Sequence, residues 1–130
     1  MRSEAGADLA RRIETIESSY EFLLAYAAQG RQHDQGTEAR QRLGALHAAL
    51  DGLAEEARAA LLPSTPDALR DDVGVFLDAV TRDASVARGA VALALRREAI
   101  SSLLVDNLNA SVHLRALLTD LFLIEQSRKA

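Results

Sequence analysis

Residues 9–27 read LARRIETIESSYEFLLAYA, and the spacing of their apolar side chains indicates the fold class. One apolar series recurs at alternating intervals of four and three positions: Leu9, Ile13, Ile16, Tyr20, Leu23 and Ala27. Because an α-helix has 3.6 residues per turn, this series lies along one helix face. Phe22 and Tyr26 lie on another side, about 120° away at about 100° of rotation per residue. We therefore predict one long helix over residues 4–29, with a second apolar side available for a further contact.

A similar spacing returns after a polar segment. Residues 30–36, GRQHDQG, are flanked by glycines and predict a surface loop, and Gly30 stands where a left-handed helix cap is expected. A second helix is predicted over residues 37–62, from its own apolar series: Leu43, Leu46, Leu50, Leu53, Ala57 and Leu61. Two helices of nearly equal length joined by a short loop favour an antiparallel α-hairpin.

Two prolines predict the next boundary. Pro63 ends the second helix because a proline ring does not fit a helix interior. Pro66 suits the first position of the next helix, with Thr65 as its N-cap. Ser64 and Asp67 have the spacing of a variant capping box.

The chain beyond the prolines allows two interpretations. Residues 81–85, TRDAS, are either a break capped by Asp83 or a polar turn inside one long helix, so the segment 66–105 holds one helix or two. Residues 86–105 are strongly helical, and residues 106–109, DNLN, are the next candidate break. We predict an all-α antiparallel bundle of four to five helices in one domain over residues 1–130.

The composition supports helix and excludes several classes of chemistry. Ala and Leu, both strong helix formers, dominate an apolar fraction of 48%, with three Phe, two Tyr and no Trp. The absence of Cys excludes disulfides, thiolate catalysis and Cys-type zinc sites. A net charge of −4 with scattered basic residues predicts no nucleic-acid binding.

The hydropathy pattern predicts no membrane association. The most apolar stretch, residues 86–95, has about half the length that a transmembrane helix needs, and charged residues follow it. The first residues lack the apolar run of a secretory signal, and acids fall early. We therefore expect a soluble protein of the cytoplasm.

Residues 103–124, LLVDNLNASVHLRALLTDLFLI, carry the widest apolar arc of the chain. Taken as one helix, apolar side chains cover more than half of its circumference, whereas a surface helix needs an arc of only about 100° or somewhat more. Such a helix is either central in the bundle or shared with a second subunit. Together with the second apolar side of the first helix, this favours a homodimer, and five residues are predicted at its interface: Phe22, Tyr26, Leu114, Leu117 and Leu121.

The remaining polar positions of this segment form a narrow stripe: Asp106, Asn109, His113 and Asp120. Two carboxylates and an imidazole on one stripe could orient the ring or bind a cation weakly. A stripe of this kind is more typical of the solvated side of an otherwise apolar helix. We therefore interpret it as solvent-facing.

A site in the bundle core is the second possibility. Four polar groups are able to orient a small molecule there: Tyr20, His47, Arg97 and His113. For His47 the alternative is a boundary residue whose ring packs on Leu50, and for Arg97 it is a salt bridge at an interface.

No catalytic residue, metal ligand set or cofactor is predicted. The Glu-x-x-His pairs of di-iron bundles and the His-Glu-x-x-His zinc motif are both absent, as is a Gly-rich phosphate loop. An enzyme is therefore the third choice. The first is an interaction protein, an adaptor or regulatory subunit that forms a homodimer and has another protein as a candidate partner. The alternative is a small-molecule or cofactor-binding bundle.

Overall fold

The computed structural model describes the backbone of residues 4–128 and the side chains of residues 6–128, and no strand occurs in this part of the chain. Its six α-helices are α1 (Glu4–Ala27), α2 (Ala39–Leu50), α3 (Leu53–Leu61), α4 (Arg70–Leu95), α5 (Ser102–Asn109) and α6 (Val112–Arg128). Two short 3₁₀ turns, Leu62–Ser64 and Asp67–Leu69, join α3 to α4. The predicted all-α class is confirmed, and the helix count exceeds the predicted four to five.

Helix α1 agrees with its sequence pattern. Leu9, Ile13, Ile16 and Leu23 are fully buried, and α1 packs against α2, α3 and α5. Gly30 follows the helix with a φ of 67°, the left-handed conformation expected of a residue that ends a helix. Residues 30–36 form the predicted loop.

The second predicted helix is broken, which corrects the prediction of one helix over residues 37–62. Gly52 has a φ of 80° and Asp51 is extended, so α2 ends and α3 begins anew. Arg12 of α1 donates hydrogen bonds to the carbonyl oxygens of Ala49 and Asp51 at this break. The predicted hairpin of two long helices is therefore supported only in part: α1 packs against both α2 and α3.

The Pro63 boundary is confirmed, but the predicted caps around it are wrong. The hydroxyls of Ser64 and Thr65 donate to the carbonyl oxygen of Leu61, at 3.2 and 2.6 Å. They close α3 instead of opening the next helix. Neither the following 3₁₀ turn nor α4 has a side-chain hydrogen bond at its N-cap.

Helix α4 runs through residues 81–85 without interruption. This segment is therefore a polar part of one long helix and not a break. The break falls later, at residues 96–101, inside the stretch predicted to be helical. Arg40 of α2 donates to the carbonyl oxygens of Leu95, Arg97 and Glu98, at 3.0, 2.7 and 3.1 Å. Ser101 then caps α5 by accepting a hydrogen bond from the Leu104 N–H.

The chain breaks again at Ala110 and Ser111, directly after the candidate break at residues 106–109. Helix α6 packs against α4, while α5 packs mainly against α1. None of the described helices combines the length and the apolar character needed to cross a bilayer.

Candidate functional site

The four residues predicted to bind a ligand lie in different places. Tyr20 is half-buried against the core. His47 lines a groove of about 410 Å³ between α2, α3 and α4, and Arg97 lines a groove between α4 and α5. His113 contacts Asp83 of α4. The structure does not bring these four side chains together into one core site.

The groove beside His47 is charged but largely self-compensated. Arg88 lies across it, and its guanidinium is 3.8 Å from the Asp51 carboxylate. Glu55 adds a second carboxylate to the lining. The Nε atom of Arg88 is buried without a hydrogen-bond partner among the described residues. Because the Asp51 carboxylate already faces Arg88, this guanidinium is not free to bind an anionic ligand.

His113, Asp83 and Asp120 form a cluster between α4 and α6 that the sequence pattern did not predict. The Nδ1 atom of His113 lies 3.1 Å from Oδ1 of Asp83. Burial raises the pKa of Asp120 from 3.8 to about 7, and the hydrogen bond to Asp83 and its charge act in the same direction. Oδ2 of Asp120 is buried without a donor among the described residues. The Asp120 carboxyl is therefore expected to keep its proton to a higher pH than an exposed aspartate does.

The interpretation of this polar stripe as solvent-facing needs correction. Asp106 is exposed, but Asn109 is only 7% exposed and its side-chain amide donates to the carbonyl oxygen of Leu23 at 3.2 Å. His113 and Asp120 turn towards α4, as described above. The stripe therefore makes polar contacts inside the bundle, and among the described residues no group of His, Asp and Glu is arranged to hold a metal ion.

The raised pKa of Asp120 predicts a stability that falls with rising pH. The folded chain keeps a proton that the unfolded chain has lost, so the contribution is complete below about pH 4 and is lost as the pH rises to about 7. Asp120→Asn should remove this decline and stabilise the fold by about 1–2 kcal/mol at about pH 8, allowing for solvent screening. Urea unfolding at several pH values measures it. Asp106→Asn, at an exposed carboxylate, is the control, and an unchanged decline in Asp120→Asn would contradict the assignment.

The residues predicted to form a dimer interface lie mostly inside the single chain. Leu114, Leu117 and Leu121 are fully buried, and Tyr26 is 1% exposed. The Tyr26 hydroxyl donates to the carbonyl oxygen of Ile100 at 2.6 Å, and the carbonyl oxygen of His33 lies 3.2 Å from the same hydroxyl. These four side chains are therefore not available on the surface, because the chain's own helices already cover them.

Phe22, the fifth predicted interface residue, is half-buried within the same region. Its ring stacks on Tyr26 with centroids 6.2 Å apart. The guanidinium of Arg42 lies 5.3 Å from the Phe22 ring centroid, a distance suited to a cation–π contact. Phe22 is thus packed by two neighbours of its own chain.

The apolar surface that remains exposed lies elsewhere. Large apolar side chains stand open to solvent on α1, on α4 to α6 and on the turn before α4: Leu24, Leu69, Val75, Val86, Leu93, Leu103, Val112, Phe122 and Leu123. Leu69, Leu93 and Leu123 border two surface grooves.

The first, here called the end groove, has a volume of about 540 Å³ and lies between the end of α3, the start of α4 and the end of α6. No charged side chain occurs among the described residues that line it. Its apolar lining consists of Leu61, Pro66, Leu69, Val73, Phe76, Leu123 and Ile124.

The second, here called the arginine groove, has a volume of about 650 Å³ and lies between the last turns of α4 and helix α5. Its apolar lining consists of Ala90, Leu93, Ala94, Leu104 and Leu108. Arg96 and Arg97 are the charged side chains among its described lining residues. Arg97 is thus the one predicted site residue that lines this groove.

Comparisons of the chain with protein-family models, with curated proteins and with solved structures found no match.

Proposed function

We propose that the chain is an interaction protein, an adaptor or regulatory subunit, that pairs with a second copy of itself through the end groove. The observation that carries this proposal is the uncharged apolar lining of that groove. Leu69 and Leu123, both about half exposed, belong to it. Removing apolar surface from water is favourable by about 25 cal/mol per Å², and monomers rarely leave large continuous apolar patches open.

The charge distribution favours a second copy as the occupant. In a two-fold dimer the same surface of both subunits meets, so a charge near the symmetry axis would face its own copy, and any other charge would need an opposite charge across the contact. The end groove avoids this cost because its described lining holds no charge, although the chain as a whole carries −4. Phe122, exposed next to Leu123 in sequence, adds an aromatic side chain of the type enriched at interfaces.

Leu123→Glu should therefore weaken self-association by about tenfold or more, equivalent to about 1.4 kcal/mol or more. The matched control is Leu103→Glu, at an exposed leucine on α5 that lines neither groove. Size-exclusion chromatography with light scattering gives the mass of each variant, and circular dichroism checks that both remain helical. An equal loss of the dimer in both variants, or in neither, would contradict the end groove as the contact.

The alternative, a small-molecule or cofactor-binding bundle with a core site, has weaker support. Its four candidate residues lie apart, and Arg88, which lines the groove beside His47, is paired with Asp51. The grooves described here open at the surface between helices, which suits a protein partner better than an enclosed small molecule.

A further inference from the structure

We propose that the arginine groove binds an acidic amphipathic helix of a partner protein. This inference rests on the proposed interaction function and names a second contact, separate from the dimer. Val73 in the end groove and Ala94 in the arginine groove are both on α4, about 30 Å apart at 1.5 Å per residue. Both surfaces can therefore be occupied at once.

The shape of the groove suits a helix. Ala94 and Leu108 form its buried floor, and Leu93 stands 64% exposed at its edge. Ala90 and Ala94 lie one turn apart on α4, and such small side chains let a partner helix approach closely. Helices with apolar residues at i, i+3, i+4 and i+7 bind in grooves of this kind.

The charge of the groove selects an acidic partner. Arg96 and Arg97 are both exposed, and neither forms an ion pair with a described residue, whereas Arg40 and Arg58 pair with Asp34 and Asp78. Arginine is suited to this role because its planar guanidinium binds carboxylates through two parallel hydrogen bonds.

The backbone that carries these arginines is held in place from inside the fold. Arg40 donates to the carbonyl oxygens of Leu95 and Arg97 and so fixes the turn that ends α4. Asp34 and Glu98 border a neighbouring cavity that the two arginines share. Asp34 is occupied by Arg40 and by the Ile100 N–H, and Glu98 forms no ion pair with either arginine in the described structure. Both guanidiniums are therefore free for carboxylates of a partner.

A pair of synthetic helical peptides tests the proposal on the full chain. Both carry leucines at i, i+3, i+4 and i+7, and the flanking positions are Glu in one and Lys in the other. Fluorescence anisotropy should show micromolar binding of the Glu peptide that weakens as salt is added, and binding of the Lys peptide weaker by about tenfold or more. Equal binding of the two peptides, or binding of neither, would overturn the proposal.

Two double variants locate the binding surface. Arg96→Glu/Arg97→Glu should weaken binding of the Glu peptide by about tenfold or more. Arg82→Glu/Arg115→Glu makes the same change in net charge at exposed arginines outside the groove and should leave binding nearly unchanged. An equal loss in both variants would show a general charge effect and overturn the site. Arginine-dependent binding of dodecanoate without binding of the Glu peptide would assign the groove to a small anionic amphiphile and overturn the protein partner.

The same variants separate this inference from the dimer proposal. Leu123→Glu should bind the Glu peptide as the unmodified chain does, and Arg96→Glu/Arg97→Glu should keep the dimer. A dimer that does not bind the Glu peptide overturns only the arginine-groove inference. A monomer that binds it overturns only the dimer.

Discussion

Replacing Leu117 by Ala is expected to lower the free energy of unfolding by about 2–5 kcal/mol, since the change leaves a cavity in the core. Leu117 is fully buried on α6, the helix that packs against α4. Urea unfolding followed by far-UV circular dichroism measures the effect at low protein concentration.

Leu103→Ala is the matched control, because Leu103 is an exposed leucine and substitutions at such positions change stability by about 0.5 kcal/mol or less. A loss of less than about 1 kcal/mol in Leu117→Ala, in the range of surface substitutions, would contradict the placement of α6 against the core.

The second large effect is expected at Asp34. Removing its side chain should lower the free energy of unfolding by about 1.5–3 kcal/mol near neutral pH. One carboxylate oxygen accepts the Ile100 N–H at 2.8 Å, and the other faces Arg40 Nε at 3.3 Å. Asp34→Ala leaves both donors without this acceptor and removes one of the hydrogen bonds that join the loop after α1 to the segment before α5. Chemical unfolding of the variant and of the unmodified chain gives the difference.

The contribution of Asp34 also has a defined pH dependence. The hydrogen bond from the Ile100 N–H lowers the pKa of Asp34, and Arg40 acts in the same direction. A lowered pKa in the folded state means stability that is present above about pH 4 and is lost as the pH falls through the folded value. Asp34→Asn keeps an oxygen for the Ile100 N–H but carries no charge. The stability of this variant should therefore fall less as the pH is lowered. An equally steep loss of stability at low pH in Asp34→Asn and in the unmodified chain would contradict the assignment.

The fold class and the first helix were predictable because they depend on local periodicity. Leu9, Ile13, Ile16 and Leu23 are spaced for one helix face and all are buried. The break at Gly52 was not predicted, because the leucine series continues across it: Leu50 and Leu53 are both buried. The signal present in the sequence was the Asp51–Gly52 pair, which is typical of turns.

The end of α4 could not be read from local sequence. It is stabilised by Arg40, which lies more than fifty positions earlier in the chain and binds the carbonyl oxygens of residues 95, 97 and 98. Hydrogen bonds of such long range leave no periodic signal. Ser101 was a local signal for the start of α5, since serine is a preferred N-cap residue.

The wide apolar arc was predicted because residues 103–124 were taken as one helix. The break at residues 110 and 111 changes the rotational phase, so α5 and α6 bury different faces. The predicted apolar arc of more than half of the helix circumference was therefore partly the sum of two narrower arcs, one on α5 and one on α6. Leu114, Leu117 and Leu121 belong to the buried face of α6, while Leu103, Phe122 and Leu123 stay exposed.

Among the four predicted ligand-binding residues, Arg97 lies after the most apolar stretch of the chain and lines the arginine groove. The Asp83–Asp120 pair joins two helices, and the side-chain amide of Asn109 reaches Leu23 of α1. Contacts of this type depend on how helices pack, which a single sequence does not specify.

Sedimentation equilibrium of the unmodified chain tests the proposed self-association most directly. Association of two copies through the end groove predicts a species of twice the 14.0 kDa chain mass, whose fraction grows with protein concentration. A constant mass of one chain up to high micromolar concentration would contradict it.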